Sequence, residues 1–371
     1  MVDALKELGL DVRFDAANAI IAVTGCGGRI PVAEAKLFVG NSGTTVRFLT
    51  AMLAAADGTF TLDGTARMRE RPIQDLLDAL AQLGVQAHSI SGTGCPPVEI
   101  RATGLRGGEA TIRGDVSSQF LSGLLMAAPY AKSELKLAIE GELVSQPYVH
   151  MTLAVMRAFG VDVAAEDVTT FKIEAPRHYL GRDYVVEPDA SAASYFWAAA
   201  AITGGCVTVE GLNRSSLQGD VAFCDCLAKM GCDVQDNATS TTITGHPLHG
   251  IDVDMNAISD TVQTLAAVAL FAEGPTTIRG VGHIRHKETD RIAALATELR
   301  KLGAAVEEWP DGLRITPGTL HGATIDTYDD HRMAMSLALV GLRQPGVVIN
   351  DPGCTVKTYP NYFGDLEKLR R

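Results

Sequence analysis

The chain has 371 residues, of which 46% are hydrophobic and only 6% aromatic. This length is enough for two domains of ordinary size, and cores built from aliphatic and small side chains favour α/β layers over a β-sandwich. The formal net charge of −12 argues against nucleic acid or an anionic membrane as a partner, so an anionic substrate would need a local cluster of Lys and Arg.

The seven cysteines include no CxxC pair, which is typical of reduced thiols in a cytoplasmic protein. Cys224 and Cys226 are separated by one residue, a spacing that does not suit zinc. The sequence shows no secretory leader and no apolar run of membrane-spanning length. We therefore expect a soluble cytoplasmic protein without a metal site.

In chain order, the first predicted element is an amphipathic helix that meets a strand at Gly9, in the stretch MVDALKELGLDV. The same arrangement of helix, glycine and strand recurs about every 72 residues. The other four copies are LLDALAQLGVQA, AVMRAFGVDV, DCLAKMGCDV and ATELRKLGAAV, with their glycines at Gly84, Gly160, Gly231 and Gly303. A period of this length indicates repeated βα subdomains rather than a solenoid, whose repeats run to about 20–50 residues.

Each repeat also contains a helix that is apolar or small nearly all round, which predicts a buried helix. Each of these helices opens with Ser, Thr, Asp or Asn, the residues preferred as N-caps. The five stretches are GNSGTTVRFLTAMLAA, DVSSQFLSGLLMAAP, PDASAASYFWAAAAI, SDTVQTLAAVALFA and YDDHRMAMSLALVGL. Short strand-like runs such as TFTLDG, LKLAIEG and TTIRG separate the two helices of a repeat.

We interpret the chain as an α/β protein of βαβαββ-like units, with the buried helices bundled inside and the sheets outside. The natural count is six units, three in a domain at residues 1–187 and three in a domain at residues 188–371. The boundary is placed at Glu187-Pro188, midway through the count. NYFGDLEKLRR predicts a last amphipathic helix. By this count one more buried helix would lie upstream of residue 1, and without it the first domain would leave apolar surface uncovered.

Converging N-termini of the buried helices would create a positive pole, because each end carries about half a unit charge and free N–H groups. Polar groups stand at these ends: Asn41-Ser42-Gly43-Thr44, Ser117-Ser118-Gln119, Asp189 with Ser191, Asp260, and Asp330-His331-Arg332. Simple N-capping explains each of them taken singly. Arg47 and Arg332 favour an anion site, because a cation near a helix N-terminus opposes the dipole.

Further cations are expected in the turns between strands and helices: Arg67, Arg69, Arg71, Arg285, Lys287, Arg291 and Lys357. Lys287 and Arg291 are four residues apart, which places them on one face of a predicted helix. A solvated, self-paired helix start would explain that motif equally well. GxGxxG, GxxxxGKS/T, GxSxG and HExxH are all absent, so the sequence predicts neither a nucleotide loop nor a serine-hydrolase or zinc-protease site.

Seven ordered motifs resemble those of one family: LFVGNSGTTVRFL, RMRERPIQDLLDAL, GDVSSQFLSGLLMAAP, VEPDASAASYFWAAAA, IRHKETDRIAALATELRKLGA, YDDHRMAMSLALVGL and DPGCTVKTYPNYF. Through them the chain is similar, over essentially its whole length, to the 5-enolpyruvylshikimate-3-phosphate synthases. The resemblance implies two inside-out α/β domains of the enolpyruvyl transferase type that close on substrate between them. The implied reaction moves the enolpyruvyl group of phosphoenolpyruvate to the 5-hydroxyl of shikimate 3-phosphate and releases phosphate, in aromatic amino-acid biosynthesis.

The resemblance also implies roles for single residues. Shikimate 3-phosphate would be bound by Ser117, Ser118, Gln119, Ser145, Tyr148, Asp260 and Lys287. Phosphoenolpyruvate would be bound by Gly43, Arg71, Gln119, Arg291, Arg332 and Lys357. Three residues would be catalytic. Asp260 would accept the hydroxyl proton, Glu288 would take part in proton transfer at the enolpyruvyl methylene, and Lys287 would be the third. The inhibitor glyphosate would sit against Gly43. The family implies no metal or organic cofactor, and we expect a monomer.

Two alternatives stay open at this point. The UDP-N-acetylglucosamine enolpyruvyl transferases share the fold and the phosphoenolpyruvate chemistry, but they carry a loop cysteine where this chain has RMRERPIQ. Members of the resembled family also carry roughly 55–60 more N-terminal residues, close to the deficit that the period predicts. That stretch contains a Lys-Ser…Ser-Asn-Arg motif whose lysine is catalytic. We therefore expect either an active synthase completed by an upstream segment or a partner chain, or a catalytically dead synthase-like protein.

Overall fold

A computed structural model describes residues 1–165 and 169–369. Its contacts divide the chain into two compact units, Met1–Tyr184 (unit 1) and Val185–Arg371 (unit 2). The boundary predicted at Glu187-Pro188 lies in the segment between Ile173 and Ala190, which has neither helix nor strand. Within the described residues, no helix is long and apolar enough to cross a bilayer.

Unit 1 opens with a short helix and then alternates strands and helices. Its α-helices are α1 (Val2–Glu7), α2 (Gly43–Ala54), α3 (Gln74–Gln82), α4 (Ser118–Ala127) and α5 (Gln146–Ala158). Its strands are β1 (Val12–Asp15), β2 (Ile20–Val23), β3 (Glu34–Phe38), β4 (Asp57–Asp63), β5 (Gln86–Ser89), β6 (Val98–Thr103), β7 (Gly108–Arg113), β8 (Leu135–Glu140), β9 (Ala164–Ala165) and β10 (Thr170–Ile173).

Unit 2 continues the alternation. Its α-helices are α6 (Ala190–Thr203), α7 (Phe223–Lys229), α8 (Val262–Ala269), α9 (Arg291–Lys301), α10 (His331–Ala338) and α11 (Tyr362–Lys368). Its strands are β11 (Cys206–Glu210), β12 (Asp233–Asp236), β13 (Ser240–Thr244), β14 (Leu248–His249), β15 (Asp252–Asp254), β16 (Ala272–Glu273), β17 (Thr276–Arg279), β18 (Ala305–Trp309), β19 (Gly312–Thr316), β20 (Thr324–Ile325) and β21 (Val348–Ile349). The last helix was predicted from NYFGDLEKLRR, whose final two residues lie outside the described range.

Three four-stranded sheets repeat one topology. Their strand orders are β3-β4-β6-β5, β7-β8-β10-β9 and β15-β17-β19-β18. In each sheet the first two strands are parallel and the other neighbours are antiparallel. A buried helix (α2, α4 or α8) connects the parallel pair, as a parallel connection requires. Apart from the two-residue strands β14 and β16, each repeat therefore runs βαβαββ, and the predicted α/β fold class is confirmed.

The recurring glycines end the amphipathic helices. All five, Gly9, Gly84, Gly160, Gly231 and Gly303, have φ between 80° and 111°. A residue with a Cβ atom adopts this left-handed conformation at a cost. After α3, Gly84 N donates to Ala81 O at 3.0 Å and Val85 N donates to Leu80 O at 3.1 Å, which is a Schellman motif. The same pair of bonds follows α1, α5, α7 and α9. The repeated phrase is thus a helix stop that turns the chain into the next strand.

All five buried helices predicted from the sequence are present, as α2, α4, α6, α8 and α10. In unit 2, α8 packs against both α6 and α10, and in unit 1 α2 packs against α4. Predicted side-chain caps are confirmed at Ser42, Ser117, Asp189 and Asp330. The predicted cap at Ser259 or Asp260 is wrong, because a 3-10 turn occupies Asn256–Thr261 and α8 begins only at Val262. The Asp260 carboxylate bonds to Arg332 instead.

Each buried helix carries a buried hydroxyl at a position that recurs at nearly the repeat interval. The five are Thr50, Ser122, Ser194, Thr264 and Ser336. In unit 2, Ser194 Oγ lies 3.1 Å from Thr264 Oγ1, which lies 3.3 Å from Ser336 Oγ. A buried hydroxyl that lacks a hydrogen bond costs free energy. This chain of bonds therefore favours one rotation of α6, α8 and α10 about their axes.

The hairpin of β1 and β2 is apolar but exposed. Phe14 is 62% exposed, Ile21 56% and Val23 55%. The antiparallel register pairs Phe14 with Ile21 and Val12 with Val23, so these side chains share one face of the hairpin, on which Val12 is buried and the other three are exposed. Unit 1 thus presents an uncovered apolar surface.

Candidate active site

The polar group of unit 1 lies at the N-terminal ends of α2 and α4. Arg47, which is buried, donates from Nη1 to Gln119 Oε1 at 2.8 Å and to Ser117 Oγ at 3.4 Å. Gln119 Nε2 in turn donates to Thr44 Oγ1 at 3.0 Å. The guanidinium also lies 5.0 Å from the centre of the Phe120 ring, a favourable cation–π distance. These contacts join the two helix starts around a buried cation.

Arg71 adds a second buried cation beside Gly43. It follows a 3-10 turn at Met68–Glu70, and its Nη1 donates to Asn41 O at 2.9 Å. A Cβ atom on Gly43 would lie 2.3 Å from Arg71 Nη2 and 3.3 Å from Arg47 Nη1. Two guanidinium groups therefore converge on the backbone of Gly43. Such a concentration of positive charge suits a phosphate or a carboxylate, which guanidinium groups bind with paired hydrogen bonds.

The predicted serines mark the starts of α4 and α5, which pack against each other. Ser117 caps α4 by accepting from Gln119 N at 3.3 Å, and the next residue, Ser118, is buried. Ser145 is buried at the N-cap of α5 with φ 55°, and Tyr148 N donates to its carbonyl oxygen at 3.1 Å. Hydroxyl groups at helix starts are suitable donors to an anion, since they add to the free N–H groups there.

Arg291 is the centre of the polar group of unit 2. It is the first residue of α9 and only 1% exposed. Its Nε donates to Asp330 Oδ2 at 2.7 Å, its Nη1 to Asp260 Oδ1 at 3.2 Å and its Nη2 to Glu288 Oε2 at 3.0 Å. Burial lowers the pKa of Arg291, but Asp330, Glu288 and Asp260 outweigh it and raise the pKa above its usual range. The guanidinium is therefore fixed in place by three carboxylates.

Asp260 connects Arg291 to two further cations. Its Oδ2 accepts from Arg332 Nη2 at 2.9 Å, and Lys287 Nζ lies 3.8 Å from Oδ1. Burial raises the pKa of Asp260, but Arg332, Lys287 and Arg291 more than offset this and hold the pKa well below its usual range. Asp260 is thus ionised in the structure, and it becomes a stronger base only when a cation leaves it.

Glu288 forms the other side of the group. Its Oε1 accepts from Lys357 Nζ at 2.6 Å and its Oε2 from Arg291. Lys357 ends the 3-10 turn at Pro352–Lys357. Four cations and three carboxylates (Lys287, Arg291, Arg332 and Lys357 with Asp260, Glu288 and Asp330) meet in this group. An anionic ligand would compete with the carboxylates for the cations.

Tyr195 of α6 belongs to this group although the sequence analysis did not assign it there. Its hydroxyl accepts a 3.4 Å hydrogen bond from Arg332 Nη1. Burial raises the pKa of Tyr195 to about 12, and Arg332 only partly opposes the shift. An aromatic residue in an apolar helix is the pattern of a core residue, so the sequence carried no signal for this contact.

Two histidines near the group are neutral at pH 7. Burial, with the charge of Lys287, lowers the pKa of His283 to about 4. Burial, with the charge of Arg332, lowers the pKa of His331 to about 3. Over residues 1–165 and 169–369, no group of three or more His, Cys, Asp or Glu is arranged to hold a metal ion.

The prediction that Lys287 and Arg291 share a helix face is wrong. A 3-10 turn at Gly282–His286 ends at Lys287, and α9 begins only at Arg291. Asp290 stops the helix from extending further back, because its carboxylate caps α9 by accepting from Ala293 N at 3.1 Å. Lys287 approaches Asp260 from outside the helix.

The predicted site residues are distributed over both units. Unit 1 contains Gly43, Arg71, Ser117, Ser118, Gln119, Ser145 and Tyr148. Unit 2 contains Asp260, Lys287, Glu288, Arg291, Arg332 and Lys357. Arg47 and Asp330, which the sequence analysis placed at helix N-termini, lie in the first and the second group, and the structure adds Tyr195 to the second.

Comparison with known proteins identifies the family. A family model described as EPSP synthase (3-phosphoshikimate 1-carboxyvinyltransferase) matches residues 1–366. The chain is 50% identical to the 3-phosphoshikimate 1-carboxyvinyltransferase of Nostoc punctiforme, across 97% of this chain and 84% of that protein. The chain belongs to the EPSP synthase family.

Other relatives and solved structures agree with this assignment. The EPSP synthase of a Shewanella species, strain MR-7, is 50% identical across 100% of this chain and 88% of its own length. The structure of EPSP synthase from Acinetobacter baumannii has a TM-score of 0.80 at 27% identity, covering 99% of this chain and 86% of that one. The enolpyruvyl transferase NikO from Streptomyces tendae, at 22% identity and a TM-score of 0.77, shares the fold. The family is the one that the seven motifs resemble, and not that of the UDP-N-acetylglucosamine enolpyruvyl transferases.

Proposed function

We propose that this chain transfers the enolpyruvyl group of phosphoenolpyruvate to the 5-hydroxyl of shikimate 3-phosphate and releases inorganic phosphate. Membership of the EPSP synthase family supports the reaction. The chemistry of both polar groups supports it independently, because both substrates carry a phosphate and a carboxylate. The proposal includes a cytoplasmic monomer that works without nucleic acid or membrane.

In unit 1 we assign anion binding to Arg71, Gln119 and the backbone of Gly43. The buried guanidinium groups of Arg47 and Arg71 converge there, so an anion gains two charge-assisted contacts in a setting of low dielectric. Ser117, Ser118, Ser145 and Tyr148 are assigned to shikimate 3-phosphate, as hydroxyl donors at the starts of α4 and α5.

In unit 2 we assign the chemical step to Asp260, Glu288 and Lys287. A C–O bond forms between the substrate hydroxyl and C2 of the enolpyruvyl group while the methylene takes up a proton, giving a tetrahedral intermediate. Cleavage of the bond from C2 to the phosphate oxygen then releases phosphate, and the methyl group returns the proton. Asp260 is assigned as acceptor of the hydroxyl proton, which then leaves with the phosphate or to solvent. Glu288, in its protonated form, is assigned as the group that gives the methylene its proton and takes it back from the methyl group.

The single observation that carries this assignment is the paired state of the acids. Asp260 is held by Arg332, and Glu288 by Lys357. Arg291, Arg332 and Lys357 are the cations assigned to phosphoenolpyruvate. When its phosphate and carboxylate engage Arg332 and Lys357, both acids lose a cation and become better bases. Substrate binding therefore activates the proton acceptors. The charge on the intermediate is stabilised by Arg and Lys already in position, so no metal is assigned.

The test is release of inorganic phosphate from phosphoenolpyruvate by the purified chain in the presence of shikimate 3-phosphate. We expect release that requires both substrates and that falls about 10²–10⁴-fold in Asp260→Asn, the range for loss of a general base. Exposed Asp254→Asn is the matched control and should retain wild-type turnover. Binding of both substrates by calorimetry without any phosphate release would support the catalytically dead alternative and contradict the proposal.

A further inference from the structure

The segment that leads into α10 contains two consecutive left-handed residues that are not glycine. Tyr328 has φ 56° and Asp329 has φ 54°. L-residues adopt this region at a cost, and two in succession persist only when surrounding contacts hold them there. Whatever holds this segment fixes the direction in which α10 starts.

Asp330 N donates to Thr327 O at 2.9 Å and closes a turn around the two residues, and a buried carboxylate on a neighbouring helix holds this turn from outside. Glu298 of α9 is 0% exposed, and its Oε1 accepts from Tyr328 Oη at 2.6 Å. Its Oε2 accepts from Asp326 N at 3.1 Å and lies 2.9 Å from Lys301 Nζ. Lys301 Nζ also donates to the Asp326 carboxylate at 2.7 Å. Tyr328 and the backbone two residues before it are therefore tied to one buried charged group, and hydrogen bonds to such a group are the stronger ones.

The residues that directly follow the segment belong to the polar group of unit 2. Asp330 is 0% exposed, caps α10 through Arg332 N at 2.9 Å and accepts from Arg291 Nε. The Arg332 guanidinium bonds to Asp260. A change of φ at Tyr328 or Asp329 would move Asp330 and Arg332 together.

We propose that Glu298 is a positioning residue that holds Tyr328 and Asp329 in the left-handed conformation and thereby sets Asp330 and Arg332. The effect on turnover rests on the proposed function, whereas the effect on the segment does not. Glu298 also pairs with Lys301 three residues along α9, and a purely structural carboxylate of that kind would stabilise the helix without ordering the segment.

Hydrogen–deuterium exchange of the protein without substrates tests the segment directly. Glu298→Gln keeps one acceptor oxygen but presents an amide N–H₂ group to the donors, so we expect exchange over 327–332 to rise at least about tenfold, the loss of one charge-assisted hydrogen bond. Tyr328→Phe should raise exchange over the same residues to a smaller extent. This variant provides the test if Glu298→Gln fails to fold. The exposed Glu307→Gln on β18 is the matched control.

Rescue by glycine separates positioning from general stability. Asp329→Gly accepts the left-handed conformation without a steric cost, so it should restore slow exchange over 327–332 in the Glu298→Gln background and change little alone. In the phosphate-release assay, Glu298→Gln should raise KM for phosphoenolpyruvate about tenfold with a smaller effect on kcat, and the double variant should return toward wild type.

Unchanged exchange over 327–332 in both Glu298→Gln and Tyr328→Phe overturns the proposal, as does a Glu298→Gln defect that Asp329→Gly leaves in place. Loss of phosphate release in the wild type contradicts the proposed function alone, since the exchange measurements still decide the role of Glu298.

Discussion

Asp260 and Arg332 join the starts of α8 and α10 through a 2.9 Å hydrogen bond between Oδ2 and Nη2. Both groups are largely buried, and a second cation, Arg291, bonds to the other oxygen of Asp260. In the structure the acid is therefore ionised and held, and under the proposed function an arriving anion would compete for Arg332. This competition gives the site a dependence on pH and on ligand that can be measured.

The pair should make stability depend on pH. The pKa of Asp260 in the folded protein is lower than in the unfolded chain, where it is about 3.9. The stabilisation is therefore present above about pH 4 and is lost as pH falls through the lower folded value. In Arg332→Met the difference in free energy of unfolding from wild type should be largest near neutral pH and begin to shrink only below about pH 4, as measured by urea unfolding.

Arg279→Met is the control for this measurement, because its 2.7 Å pair with Asp252 is exposed. Exposed pairs contribute little, so this variant should stay close to wild type at every pH. A difference for Arg332→Met that does not change with pH would show that Arg332 acts through packing alone.

Gly43→Ala should weaken phosphoenolpyruvate binding. The new Cβ would lie 2.3 Å from Arg71 Nη2, so the guanidinium must move away from the backbone it covers. We expect KM for phosphoenolpyruvate to rise about tenfold or more with a smaller loss of kcat, and inhibition by glyphosate to weaken. Gly25→Ala is the matched control, since a Cβ there meets nothing within 4 Å. Unchanged glyphosate sensitivity in Gly43→Ala would count against the placement of the inhibitor.

Glu288→Gln should impair chemistry more than binding. The amide cannot take up the methyl proton, so kcat in the phosphate-release assay should fall about 10²–10⁴-fold. Lys357 loses its 2.6 Å carboxylate partner and is freer to bind an anion, so KM for phosphoenolpyruvate should stay equal or fall. A variant with normal kcat and raised KM would assign Glu288 to binding instead.

Thr264→Val should destabilise unit 2. Valine has the same shape but removes the bonds to Ser194 and Ser336 and leaves their hydroxyls with fewer partners. We expect a loss of about 1–3 kcal/mol in the free energy of unfolding, measured by urea titration. Thr297→Val is the control, because that exposed hydroxyl bonds only to the carbonyl of Ala293 in its own helix. Equal effects in the two variants would contradict a special role for the core hydroxyls.

The periodic features were predictable because they depend on local geometry. Gly84 and its four counterparts were found from the sequence alone, since a helix that ends in a left-handed residue needs glycine whatever surrounds it. The burial of α2 and α6 followed from their lack of a polar face. The recurrence of a hydroxyl at Thr50, Ser122, Ser194, Thr264 and Ser336 was also visible in the sequence, but in an apolar helix a small polar residue gives no sign of its partner.

The start of α9 shows where local reasoning fails. Lys287 and Arg291 have the spacing of one helix face, yet Asp290 lies between them and caps the helix. The run Lys-Glu-Thr-Asp-Arg is compatible with a helix that includes Lys287 and also with a helix that starts after an Asp290 cap. Tertiary contacts favour the observed start, because Arg291 at the first helical position bonds to both Asp260 and Asp330 while Lys287 approaches Asp260 from outside the helix.

The sequence by itself determined the repeat, the α/β class, the family and the residue types of the candidate site, because helix periodicity, helix stops and ordered motifs are properties of short stretches. Only the tertiary structure decided which charges pair. Asp260 and Arg291 come from one repeat and Arg332 from the next, and the distances among them depend on how α8, α9 and α10 pack. Tertiary structure also decided the role of Glu298. The sequence predicts a surface carboxylate on α9, but Tyr328 and Asp326 pack against it and donate hydrogen bonds to it.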